Sequence, residues 1–134
     1  MIDEYYDYCY GELDYRSLEF KYETLDTDNN QGTAVMNFTD RDTPFTRIIE
    51  HKHLEFANSD KTIITREYPK TRHKGEEAYY PVNDDKNNDL YEKYKQLAKK
   101  EDKVIFGGRL GMYIYFDMDQ VIEEALNLVK SELN

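Results

Sequence analysis

The chain has 134 residues, with 28 Asp and Glu against 18 Lys and Arg, for a formal net charge of −10. That length suits one domain with a real core, the single Cys9 excludes an internal disulfide framework, and no apolar run approaches a membrane span. The acidic surface repels phosphodiester backbones and so argues against nucleic acid as a partner, though not against a small anion met by a few inward arginines.

Thirteen tyrosines and six phenylalanines exclude a disordered chain. Met1 to Tyr10 is an acidic, tyrosine-dense segment expected to form a short helix or turn ending at Gly11, and its start lacks the basic, apolar pattern of a signal peptide. Leu13 to Leu25 alternates, with Leu18, Phe20 and Tyr22 against Glu19, Lys21 and Glu23, which predicts a half-buried strand. A polar turn over Asp26–Gly32 leads to a second strand at Ala34–Phe38. After a turn at Asp40–Pro44, Phe45–Phe56 reads as a third strand, with Ile49, His51, His53 and Glu55 on one face. Thr62–Glu67 is a fourth strand ended by Pro69. Cap residues at Asn83–Asp89 precede a helix carrying Leu90, Tyr91, Tyr94, Leu97 and Ala98, with Lys99 and Lys100 suited to its C-terminal end. Val104–Phe106 reads as a short strand entering Gly107-Gly108, and Asp117 with Gln120 opens a final helix whose apolar stripe is Met118, Val121, Ile122, Ala125 and Val129. The pattern predicts an α+β fold: a mostly antiparallel sheet of about four to five strands with two C-terminal helices. The expected organisation is one unit over residues 1–134, with a sheet region at 1–82 and a helix–strand–helix tail at 83–134.

Most motif candidates fail on spacing. Asp26, Asp28 and Asn30 imitate a calcium loop, but Gly32 comes one place late and Asn37 stands where a bidentate Glu is required. His51 and His53 lack a third ligand at diagnostic spacing and read as strand histidines satisfied by carboxylates or water, so no metal is expected. Gly107-Gly108-Arg109-Leu110-Gly111 is not a dinucleotide fingerprint. Cys9 lacks an activating neighbour and reads as a packed thiol. Three arginines in apolar or aromatic settings remain: Arg16, Arg47 and Arg109. Their planar forks suit phosphate or carboxylate, with structural ion pairing as the alternative. Tyr79, Tyr80, Tyr113 and Tyr115 are candidates to add phenolic donors to the same pocket, or simply to pack. The helix start at Asp117 is a potential anion site.

Several long strings resemble the UDP-galactopyranose mutase family: Asp14-Tyr15-Arg16-Ser17-Leu18, Pro44-Phe45-Thr46-Arg47-Ile48-Ile49-Glu50-His51-Lys52-His53, Thr65-Arg66-Glu67-Tyr68-Pro69, Tyr79-Tyr80-Pro81-Val82-Asn83-Asp84, Val104-Ile105-Phe106-Gly107-Gly108-Arg109-Leu110 and Asp117-Met118-Asp119-Gln120-Val121-Ile122. They run in unbroken order from about Ile2 to Leu133 and cover only the C-terminal third or so of such a mutase. The resemblance implies a flavoenzyme, an isomerase interconverting UDP-galactopyranose and UDP-galactofuranose for cell-surface polysaccharide without net redox change, with reduced FAD as cofactor and its N5 as the nucleophile; no catalytic side chain is assigned. It implies Arg47 on the substrate diphosphate, Tyr80 and Tyr115 donating from the side, Arg16 near the cleft and Asn37 near the sugar. Arg109 would lie by the flavin ring, and Asp117 and Met118 on the flavin's ribityl–pyrophosphate side.

Met112, Ile114 and Phe116 depart from the Glu, Lys and Tyr usual in the family. The glycine-rich flavin fingerprint and the lid with its arginine are not among these residues. The expectation is therefore a cytoplasmic fragment that does not hold FAD or turn over substrate alone. Its C-terminal tail would complete a flavin-binding domain, and its apolar surface would be covered in a homodimer or by a separately encoded N-terminal flavin domain. A non-catalytic module binding UDP or UDP-galactose is the alternative.

Overall fold

In a computed structural model that describes residues 1–133, the elements in chain order are α1 (Ile2–Tyr5), β1 (Tyr15–Leu25), β2 (Val35–Asn37), β3 (Arg47–Glu50), α2 (His51–Glu55), β4 (Thr62–Thr71), β5 (Tyr80–Pro81), α3 (Asp85–Ala98), α4 (Gly108–Met112) and α5 (Met118–Leu133). Five strands hydrogen-bond in the order β2-β3-β4-β1-β5, and the paired strands β2–β3, β3–β4 and β1–β5 run antiparallel. The expected α+β class with an antiparallel sheet and C-terminal helices is what the chain forms.

Two compact units divide the chain, residues 1–17 with 72–134 and residues 18–71. The first unit gathers its core from distant parts of the sequence. Ile2, Leu13, Tyr15, Tyr94 and Tyr113 are buried together, with Leu90, Tyr91, Leu97, Phe106 and Leu110 packed against them. Tyr94 and Leu97 stand one helical turn apart on α3, as do Leu90 and Tyr94, so α3 presents a single apolar face. Asp84 caps α3 by accepting the Asn87 N–H at 2.8 Å. Asp3 is fully buried yet satisfied, because its carboxylate accepts the Leu13 N–H at 3.0 Å and the Tyr15 hydroxyl at 3.4 Å. The second unit is a sheet layer with α2. Its buried apolar side chains among the described residues are Ile48 and Ile64, while Glu50, Glu67, Thr62 and Thr65 are buried polar ones.

Three departures from the sequence reading have local causes. The stretch 45–56 is not one strand: β3 stops at Glu50 and the chain winds into α2, so His51, His53 and Glu55 do not share a strand face. Glu50 pairs with Ile64 and β4 begins at Thr62, so in this register only His51 and Lys52 would still find β4 partners, and a strand running on to Phe56 would oppose the turn near 58–60. The helix closes at Phe56, whose left-handed φ of 52° returns the chain. Conversely, Pro69 does not end β4. The Glu67 carbonyl points towards β3, accepting the Thr46 N–H at 2.9 Å. By the two-residue period, the N–H that Pro69 lacks would fall on that flank, past the last β3 pair at Arg47. Val104–Phe106 is irregular instead of a strand, and the tail is helix–short helix–helix. Phe106 spends its side chain on packing against Tyr5 and Tyr6. Cys9, expected to be packed, is exposed.

Candidate functional site

In the second unit, strand register alone builds a cross-strand row. Asn37 on β2 stands opposite Arg47 on β3, and Arg47 stands opposite Glu67 on β4. Directly paired residues point to the same side of a sheet, so three side chains from positions thirty residues apart form one line. The Arg47 Nε–H donates to Asn37 Oδ1 at 2.8 Å, and its Nη1 lies 3.6 Å from Glu67 Oε2. The Arg47 side chain keeps 40% of its surface accessible while that of Glu67 keeps 9%. The result is a guanidinium fixed at its root and on one flank, with an accessible remainder suited to an anionic oxygen.

Close by on β3, Glu50 anchors the preceding turn. Its two carboxylate oxygens accept the Asn30 and Gln31 N–H groups at 3.0 and 2.9 Å, and His53 Nε2 is 3.3 Å away. Burial works to raise its pKa, but the two amide donors and His53 outweigh that and hold the carboxyl below the ordinary glutamate range. Gln31 in turn donates from Nε2 to the Thr33 carbonyl at 2.9 Å, so the turn that enters β2 is tied down. His51 Nε2 meets Thr65 Oγ1 at 2.6 Å, and His53 faces Glu50 and Asn29. No group of three metal-ligating side chains forms among the described residues.

In the first unit, Arg16 on β1 pairs with Tyr80 on β5. Tyr80 and Tyr115 stack with centroids 5.5 Å apart, and the Arg109 guanidinium carbon lies 4.8 Å from the Tyr115 ring centre and 5.5 Å from that of Tyr80. Arg109 is held by donating from Nε to the Phe116 carbonyl at 2.7 Å. The chain can deliver that carbonyl because α4 is one short helix whose first residue and C-cap are both left-handed. Gly108 enters it at φ 70° and Tyr113 leaves it at φ 53°, returning Phe116 to Arg109. A side chain at Gly111 would meet the Phe106 backbone at 3.2 Å, which also ties α4 to glycine. At the start of α5, the Gln120 Oε1 accepts the Asp117 N–H at 2.8 Å, half of the expected capping box. Met118 is 83% exposed at the same helix end.

The four candidate tyrosines do not act alike. Tyr80 and Tyr115 form the pair beneath Arg109, and the Tyr79 hydroxyl donates to Glu77 at 2.5 Å. Tyr113 is buried in the core, where its hydroxyl donates to the Asp14 carbonyl at 2.6 Å and accepts the Val82 N–H at 3.2 Å. Burial raises its pKa well above the usual tyrosine value. Thus Asn37 and Arg47 are brought together in one unit, and Tyr80, Tyr115 and Arg109, with Arg16 beside Tyr80, in the other. Asp117 and Met118 come next, at the start of α5. Sequence reasoning missed Glu67 and Glu50. The available signal was a glutamate at an inward position of an otherwise apolar or β-branched strand, where an unpaired charge is costly.

Among the described residues no helix is long and apolar enough to cross a membrane. A family model described as UDP-galactopyranose mutase matches residues 1–115. A dTDP-fucopyranose mutase of Escherichia coli is 40% identical over 126 residues, covering 93% of this chain and 33% of the relative. A probable UDP-galactopyranose mutase of Klebsiella pneumoniae is 41% identical over the same shares. A UDP-galactopyranose mutase of Mycoplasma pneumoniae is 38% identical over 132 residues, covering 94% of this chain and again 33% of the relative. The chain thus spans about a third of the length of the curated relatives it matches, and with a fixed arginine in one unit and an arginine–tyrosine cluster in the other, it belongs to the UDP-galactopyranose mutase family.

Proposed function

We propose that this chain is the C-terminal portion of a mutase that converts a nucleoside-diphosphate hexopyranose, in the first instance UDP-galactopyranose, into its furanose isomer. The observation that carries the reading is the fixed Arg47 fork, a receptor shaped for the diphosphate that leaves and returns during ring contraction. Arg47 binds that diphosphate and stabilises its charge as the anomeric bond opens. Within the first unit, the phenolic hydroxyls of Tyr80 and Tyr115 are suited to donate to an anionic oxygen, and Arg16 adds positive charge beside Tyr80. The name of the Escherichia coli relative supports a substrate class broader than UDP-galactose.

A flavin fits the residues of the first unit. Arg109 presents a planar cation on an aromatic pair, and the accessible start of the sixteen-residue α5 at Asp117 and Met118 offers backbone N–H groups and a positive dipole end to a pyrophosphate. These three residues would hold the FAD, which when bound and reduced supplies the nucleophile that the side chains lack. Met118, Ile122, Leu126, Val129 and Leu133 leave an exposed apolar stripe on α5, which supports a homodimer or a separately encoded flavin domain as its cover.

Calorimetric titration with UDP tests the reading. Weak binding by the wild-type chain and its loss in Arg47→Ala is the expected result. Absence of heat with the folded wild-type chain, or binding that survives Arg47→Ala, overturns the role given to Arg47.

A further inference from the structure

We infer that Asn37 and Glu67 are positioning residues that set the Arg47 guanidinium in one orientation for a diphosphate. The inference rests on the proposed diphosphate role of Arg47. An arginine on a strand has several rotors, and a receptor that must first freeze them loses affinity in doing so. Here the freezing is done before a ligand arrives. Asn37 takes the Nε–H at 2.8 Å, which fixes the root and plane of the fork. Glu67 sits 3.6 Å from Nη1 on the opposite flank, and its own side chain is nearly buried, so it cannot swing away as a surface glutamate would.

Both contacts arise from β-ladder register, with one partner on each neighbouring strand. A carboxylate beside an anion receptor is a poor choice on charge alone, since it lowers the local potential. Its presence at the directly paired position is explained by orientation.

That conflict of sign makes the idea testable. Charge alone predicts that removing Glu67 raises the affinity for UDP; positioning predicts that it falls. Titration of UDP into the full chain is expected to show affinity reduced about tenfold in Glu67→Leu and Asn37→Ala, and less in Glu67→Gln, the range set by losing one ion-pair partner in the first case and one hydrogen-bond acceptor in the second. Unchanged or tighter binding by Glu67→Leu and Glu67→Gln overturns the inference.

A ligand-free readout keeps it distinct from the reading it rests on. In nitrogen-15 spectra the Arg47 Nε–H is expected to exchange slowly with water in the wild type and in Asn37→Asp, which keeps the acceptor, and quickly in Asn37→Ala. Glu67→Leu should also quicken it. Protection of the Gln31 amide, held by Glu50, serves as the control for folding in each variant. An Arg47 Nε–H that exchanges as fast in the wild type as in Asn37→Ala overturns the positioning role. If that resonance behaves as expected while the wild type takes up no UDP, the diphosphate reading fails and the positioning stands.

Discussion

The unit formed by residues 1–17 and 72–134 buries Ile2, Leu13, Tyr15, Tyr94 and Tyr113 against one another, whereas the unit of residues 18–71 buries Ile48 and Ile64 beside Glu50, Glu67, Thr62 and Thr65. The first is held by apolar area with tyrosine hydroxyls tied at its rim. The second is a thin sheet in which buried carboxylates replace part of the apolar core and organise backbone donors. Apolar contacts tolerate displacement by a few tenths of an ångström, but a carboxylate meeting two amides or an arginine fork fixes direction. The polar unit gives up core area and gains a set orientation for Arg47.

The sharpest way to break the first unit is Tyr94→Ala. It removes a fully buried ring and the hydroxyl that donates to the Gly11 carbonyl at 2.6 Å and accepts the Tyr10 N–H at 3.1 Å. A loss of ~4 kcal/mol is expected for an aromatic truncation of this kind, measured by denaturant unfolding, with amide exchange quickened first in α1 and α3. The matching change in the second unit is Glu50→Gln, which leaves one of the two amide donors facing an NH2 group. A loss of ~2 kcal/mol is expected when partly buried amides lose a charged acceptor, with exchange rising at Asn30 and Gln31 while Tyr94 and its neighbours stay protected.

Acid and base should separate the two units. Glu50 titrates below the ordinary glutamate range when folded, so its contribution is complete above that range and is lost as pH falls through its folded value. Residues 18–71 are expected to lose amide protection first on acidification below pH ~4.3, the unperturbed glutamate value. Tyr15 and Tyr113 titrate above the ordinary tyrosine range, each chiefly through burial, and Tyr6 is pushed up to about 12 by burial and by Glu101. Their contribution is complete below the unfolded tyrosine value and is lost as pH rises beyond it. Tyrosinate absorbance should therefore rise in two stages above pH ~10, the second coinciding with unfolding of the first unit. A single smooth rise with the fold intact would contradict this. The smallest effect is assigned to Lys93→Gln: its side chain is exposed on α3, and a change within ~0.5 kcal/mol is expected for a surface site.

Much of this architecture is legible in the residues, and the gaps have physical causes. The helix opened by Asp84 and the one opened by Asp117 and Gln120 announce themselves through cap chemistry, which is local. Sequence pattern extends β3 too far because the end of that strand is decided by where β4 begins, a non-local fact. Arg47 lies within a family string, and Asn37 is legible only as a position that the resemblance implies. Glu67 also lies within such a string, but its role exists only once three strands are in register. Spacing groups Tyr113 with Tyr80 and Tyr115, yet its left-handed backbone turns it into the core.

The clamp of Glu50 on Asn30 and Gln31 fixes where the chain enters the bend before β2. Residues 31–34 bend, and only Val35–Asn37 run as strand, where every step reverses the side on which a side chain emerges. One residue inserted between Val35 and Asn37 would put a neighbour opposite Arg47 and turn the asparagine to the other side of the sheet, whereas one inserted in the bend leaves the β2–β3 pairing free to stay as it is. The counted length that matters to the arginine is thus the two steps from Val35 to Asn37.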